Sequence, residues 1–179
     1  MSLLYVYHAQ HPEQPYKVLT HHDDIVSTLQ RAGLTLTRRS VPAGLKAGQP
    51  LESLQQALQQ PLREWQADYP ACDALEMFSL AACPGEESVA KLPHAERVTS
   101  KTCVYAVLQG RALLTCASDD DVLAIELERG DWLQLPADCT HWLDAGEQPE
   151  LVALQLNTSQ APLNYSDTHD LLRFAGLHD

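Results

Sequence analysis

The sequence predicts a mainly β protein, a double-sheet jelly-roll barrel carrying an N-terminal α/β extension. From Arg97 onward, short β-rich runs follow one another at Val98–Leu108, Arg111–Ala117, Val122–Leu127, Trp132–Pro136 and Leu151–Leu156. Gln109-Gly110, Ser118-Asp119-Asp120-Asp121 and Arg129-Gly130-Asp131 supply turn signals between them. Closely spaced strands of this kind point to a small antiparallel barrel or double sheet. The residues before them mix strand and helix patterns, and no repeat or low-complexity linker divides the chain. The 179 residues therefore read as one domain, with 1–92 as the extension and first strands, 93–160 as the barrel core and 161–179 as a C-terminal segment.

Element by element, residues 1–8 are β-rich around Leu3-Leu4-Tyr5-Val6-Tyr7 and predict a strand. Ile25, Leu29 and Ala32 stand at helical spacing after His21-His22-Asp23-Asp24, with Val26 widening the apolar face and Gly33 as the stop. Residues 34–38 alternate and predict a second strand. Leu54, Leu58 and Leu62 mark a helical stretch from Pro50 to about Asp68, with a kink or two short helices expected at Pro61. Ala74–Ala81 predicts a further strand, 83–92 a loop, and 165–172 a short helix capped by Ser166 or Asp167.

Composition excludes several classes. Hydrophobic residues make up 45%, enough for a core, so global disorder is excluded. Lys and Arg total 12 against 24 Asp and Glu, and a net charge of −12 repels phosphate backbones and anionic lipid. Neither nucleic acid nor a membrane is expected as partner. No run approaches the ~20 apolar residues of a membrane span, and the start shows no signal peptide. The five cysteines, Cys72, Cys83, Cys103, Cys116 and Cys139, form no C-x-x-C pair and read as free thiols of a cytoplasmic protein.

The segment from Gly110 through Gly130-Asp131 to His141 resembles the second half of a cupin, where a Gly-Asp turn leads into a strand and a Pro turn presents a histidine to the barrel. More narrowly, Leu135-Pro136-Ala137-Asp138-Cys139-Thr140-His141-Trp142-Leu143-Asp144-Ala145-Gly146 resembles the acireductone dioxygenase family, whose members read close to V-P-A-x-T-P-H-W-F-D-M-G there. The N-terminal order is similar too: a short strand, a helix, the strand around Gly33-Leu34-Thr35-Leu36-Thr37-Arg38, then a long helix before Ala74–Leu80. The resemblance thus spans almost the whole chain.

It implies a single Fe(II) or Ni(II) ion and the oxidation of acireductone, a methionine-salvage intermediate, by O2. In the family an H-x-H pair, a glutamate four residues later and a distant histidine hold the ion. Residues i, i+2 and i+6 of a strand share one face, so such ligands converge inside a barrel, and N/O donors with open positions suit a redox metal. Counted back from Gly110, the first three positions fall at Arg97, Thr99 and Cys103, and His141 alone is kept. Two substrate-binding arginines of the family fall at Tyr105 and Gln155.

Other donors lie nearby. His94 and Glu96 form an H-x-E pair whose parity is opposite to that of Arg97 and Thr99, so entry into the barrel would need a bulge. A reduced site of His94 or Glu96 with Cys103 and His141 would favour Zn(II). On a regular strand Arg97 and Lys101 share a face with Thr99, Cys103 and Tyr105. Lys101 is read as reaching solvent; for Arg97, a charge replacing the metal and a snorkelling side chain both stand. His21, His22, His169 and His178 read as surface residues, and Asp119–Asp121 as a solvated turn rather than a calcium loop.

Three functional readings follow. The ligand losses favour a divergent relative without Fe/Ni site or dioxygenase activity, needing no cofactor and keeping a barrel that binds a small molecule or a partner. That barrel would be lined by Arg97, Thr99, Tyr105, Cys103, Gln155 and His141. The alternatives are a metal-dependent dioxygenase with non-standard ligands, and a metal-free isomerase or lyase with Tyr105 and His141 as acid and base. The oligomeric state is not legible.

Overall fold

The computed structural model describes residues 2–81, 96–160, 164–166 and 170–177. The N-terminal part contains β1 (Leu3–His8), β2 (Lys17–Leu19), α1 (His22–Arg31), β3 (Thr35–Arg38), α2 (Leu51–Ala57), α3 (Gln59–Ala67) and β4 (Ala74–Ala81). The barrel continues with β5 (Arg97–Val98), β6 (Cys103–Gln109), β7 (Arg111–Ser118), β8 (Asp121–Glu128), β9 (Asp131–Leu135), β10 (His141–Asp144), β11 (Glu150–Asn157) and β12 (Asn164–Tyr165). A 3-10 turn over Leu171–Arg173 follows.

Among the described residues these strands form two sheets. One runs β12-β5-β10-β7-β8-β1-β2 and the other β3-β9-β6-β11-β4, and the ladders are antiparallel throughout. Alternation along each strand builds the interior: Ala112, Leu114 and Cys116 of β7 and Leu123, Ile125 and Leu127 of β8 join Leu36, Tyr105, Leu133 and Ala153 in one apolar cluster. A second cluster packs α2 and α3, through Leu54, Leu58 and Trp65, onto the outer side of the five-stranded sheet at Val104, Ala106 and Trp132. No helix among the described residues is long and apolar enough to cross a membrane.

The local rules explain the elements. Ile25 and Leu29 anchor α1, which ends at Ala32 before Gly33 in the left-handed region at φ +77°. The helical stretch breaks at Leu58, three residues ahead of Pro61. The proline then sits in the first turn of α3, where its missing N–H removes no intrahelical bond. Gly130, at φ +93°, donates its N–H to Val107. The buried Asp131 beside it accepts from Ser2 Oγ (2.6 Å), Arg38 Nε (3.0 Å) and the Glu128 N–H (2.9 Å). That is the physical content of the Gly-Asp turn.

Two expectations need correction, and two strands were not foreseen. The run 98–108 is two strands: β5 belongs to the seven-stranded sheet and β6 to the five-stranded one, and the chain turns the corner between them at 99–102. Residues 141–144 are a strand in their own right, joining β5 to β7. Lys17–Leu19 adds an edge strand to β1 beyond a Pro-rich turn. The helix expected over 165–172 does not form at its start. Asn164 and Tyr165 pair with β5, the Ser166 N–H goes to the Glu96 carbonyl rather than Ser166 capping a helix, and only Leu171–Arg173 turns helically. The expected loop 83–92 and Asp167 lie outside the described residues.

Candidate functional site

Four strands, two from each sheet, bring the candidate residues together. In the seven-stranded sheet Arg97 on β5 stands directly opposite His141 on β10. In the five-stranded sheet Tyr105 on β6 stands directly opposite Gln155 on β11. All four are buried, with relative exposures of 2% or less, and so are Thr99 and Cys103. Two hydrogen bonds cross from one sheet to the other. Arg97 donates from NH1 to Gln155 Oε1 at 3.0 Å, and the Tyr105 hydroxyl meets His141 Nε2 at 2.9 Å.

The histidine's second bond fixes its tautomer. Nδ1 lies 2.9 Å from the Cys139 carbonyl, which can only accept. Nδ1 therefore carries the proton, Nε2 offers a lone pair, and the Tyr105 hydroxyl donates to it. Burial, reinforced by the Arg97 charge, lowers the His141 pKa to about 4 although the Cys139 bond pulls the other way, so the ring is neutral. Burial also pushes the Tyr105 phenol well above its usual range, with Arg97 opposing, and raises the Cys103 thiol far above that of a free cysteine. Both stay protonated at neutral pH.

The Pro136 turn delivers His141 as the sequence implies: the Asp138 N–H bonds the Thr99 carbonyl at 2.7 Å, tying that turn to the corner between β5 and β6. Arg97 points inward, so the snorkelling reading does not hold for it, while Lys101 is exposed. Glu96 is buried but faces away from His141, as its parity requires; its carboxylate accepts the Leu171 N–H and its carbonyl the Ser166 N–H. His94 lies outside the described residues. One surface cleft, of about 620 Å³ and lined by residues including His8, Tyr16, Arg31 and Asp121, lies away from these residues.

Sequence reading missed Cys116. It stands opposite His141 across β7 and β10. Alternation along 111–118 places Cys116 inward, but nothing in the sequence names its cross-strand neighbour.

Comparison with known proteins places this geometry. No family model matches the chain. A protein of Stutzerimonas stutzeri (strain A1501) named acireductone dioxygenase is 36% identical over 158 residues, covering 87% of this chain and 86% of its own. Another of that name, from Pseudomonas fluorescens (strain Pf0-1), is 32% identical over the full length of both chains. The chain belongs to the acireductone dioxygenase family. A solved acireductone dioxygenase from Bacillus anthracis, with a cadmium ion in its active centre, shares the fold at a TM-score of 0.68. That match covers 92% of this chain and 98% of the other at 14% identity. The fold is the cupin barrel of that family.

The metal positions of acireductone dioxygenases fall, by the resemblance set out above, at Arg97, Thr99, Cys103 and His141. The side chains present do not fit an iron or nickel ion. A guanidinium is always charged and has no lone pair to give. The Cys103 thiol is held protonated, and both ring nitrogens of His141 are engaged. Among the described residues no group of three or more His, Cys, Asp or Glu side chains is placed to hold a metal ion.

Proposed function

We propose that this member of the acireductone dioxygenase family has left the Fe/Ni-dependent dioxygenase reaction and uses its barrel to bind a small polar molecule or a partner. The observation that carries this reading is the Tyr105 hydroxyl on His141 Nε2. The one histidine matching a family ligand spends on a phenol the lone pair a metal would need. The other positions hold a guanidinium, a hydroxyl and a thiol. A binding role is supported by the polar set itself. Arg97, Thr99, Tyr105, Gln155 and His141 gather inside an apolar interior, where burying such groups costs free energy unless they are satisfied or used.

The names of the relatives favour a second reading, a metal-dependent dioxygenase with other ligands. One experiment separates the two. Untagged protein, purified without chelator and then offered Fe(II), Ni(II) and Zn(II), is assayed for bound metal and for oxygen uptake with an acireductone. The proposal expects sub-stoichiometric metal under every condition and no uptake. One equivalent of metal, lost in His141→Ala, would overturn it. An acid–base role for Tyr105 and His141 in a metal-free reaction draws on their 2.9 Å contact. It requires turnover that chelators leave intact and Tyr105→Phe abolishes.

A further inference from the structure

The outer face of the seven-stranded sheet carries polar residues that the barrel interior does not use. Tyr5 and Tyr7 stand two apart on β1 and so share a face. Cross-strand register sets their neighbours: Tyr5 pairs with Ala124 of β8, Leu113 of β7 with Glu126 of β8, and Asp144 of β10 with Leu113. Glu126 and Asp144 therefore flank Leu113 in one row, on the same face as the tyrosines. The chain returns over this face at 175–177. A cavity of about 100 Å³ remains between Tyr5, Tyr7, Leu113, Glu126 and that segment, room for three or four heavy atoms at ~30 Å³ per water-sized unit.

Tyr7 is 4% exposed and its ring stands edge-on to Phe174 at 5.2 Å, yet its hydroxyl has no hydrogen-bond partner among the described residues. The Tyr5 hydroxyl has none either, whereas a buried phenol ordinarily finds one. Burial raises both phenols above their usual range, with Glu126 adding to the shift of Tyr5, so each keeps its proton. Local charge is unbalanced as well. Glu126 gives Oε1 to Arg111 at 3.0 Å, but Asp144 accepts only from main-chain N–H groups, those of Gly146 at 3.0 Å and Leu177 at 2.8 Å. Arg173, the cation of the covering segment, faces Asp170 at 3.8 Å. Asp144 lies against the cavity wall, since a Cβ on Gly176 would come within 2.6 Å of its Oδ2.

We propose that this cavity binds a small primary alkylammonium, its ammonium held by Glu126 and the two phenol oxygens and its short alkyl chain against Leu113 and Leu177. Phenol oxygens accept N–H bonds, the rings attract a cation, and the added charge balances the second carboxylate. An anion of the same size would meet two like charges, and a neutral alcohol would leave the imbalance in place.

The test titrates nitrogen-15-labelled full-length protein with n-propylammonium chloride, followed by amide NMR, with n-propanol and propionate as probes of the same shape. Propylammonium should shift the amides of 5–7, 124–126 and 175–177 along one saturating curve, with a dissociation constant on the order of 1 mM. Propanol and propionate should leave those amides in place, and the wider tert-butylammonium should not enter. Glu126→Gln, which keeps an oxygen for Arg111, should weaken binding about tenfold, and Tyr7→Phe about threefold. Equal binding of propanol, unchanged affinity in folded Glu126→Gln, or unsaturated shifts spread over exposed carboxylates such as Asp119 and Asp120 would overturn the proposal.

Discussion

Acid should unfold this protein partly through one residue, His141. Its folded pKa of about 4 lies below the ordinary 6.5 because the ring is buried and faces the Arg97 charge. Between those values the unfolded chain binds a proton that the folded chain refuses, so stability must fall as pH drops through that window. The contribution is fully present above pH 6.5 and lost by about pH 4. The gap corresponds to roughly 3 kcal/mol, a large part of a domain's total stability. Urea unfolding of wild type and His141→Gln, followed from neutral pH down to pH 4.5, isolates the term as the difference between the two curves. The glutamine amide can still accept from Tyr105, and the carboxylates that titrate in acid subtract out. The variant should start lower and lose less, so the curves converge in acid. In wild type, the imidazole followed by NMR should stay neutral down to about pH 5. Parallel curves, or a ring that charges near pH 6.5 in the folded protein, would refute the buried neutral tautomer and the Tyr105 bond with it.

The remaining expectations are briefer. Tyr105→Phe leaves Nε2 without its donor in a buried site and should cost about 1–3 kcal/mol, read as a lower urea midpoint at unchanged slope. Gly110→Ala should abolish soluble folded protein on expression, since a Cβ there would meet the Glu150 carbonyl oxygen at 1.7 Å on a backbone at φ +81°. Asp131→Ala should cost about 2–4 kcal/mol in the same unfolding assay, because Ser2, Arg38 and the Glu128 N–H all lose a buried acceptor. Chelator added to the purified protein should leave its melting temperature unchanged, and a fall of several degrees would show that a bound metal stabilises the fold.

The sequence was most readable where one local rule decides. Ile25 and Leu29 with Gly33 set α1 and its end, Pro61 split the second helical stretch, and Gly130-Asp131 marked the turn into β9. The place of the site was readable too. The resemblance put the two lost arginine positions at Tyr105 and Gln155, and the register makes those residues direct cross-strand partners. What escaped was non-local. Regular alternation through 97–105 assumes one strand, but the chain passes between sheets at 99–102, where pairing partners change and parity no longer applies. Nor does alternation name a neighbour, so the Arg97–His141 and Cys116–His141 pairings became visible only with the fold. β10 has four residues between a Pro turn and Gly146, too few for a period to register.

The two polar bonds that cross the barrel pose a question of energetics. Arg97 to Gln155 and Tyr105 to His141 each join the seven-stranded sheet to the five-stranded one, much as an ion held from both sheets would. As struts they are weak: a buried hydrogen bond yields about 1 kcal/mol net, whereas placing a guanidinium at 2% exposure carries a desolvation cost of several. Apolar side chains of similar volume would hold the sheets together at least as well. Stability therefore does not account for this set. A cation, an amide, a phenol and a neutral imidazole, fixed in orientation by one another inside an apolar wall, are the parts from which a polar ligand is recognised. That balance of cost against gain is what supports the binding role we propose for the interior.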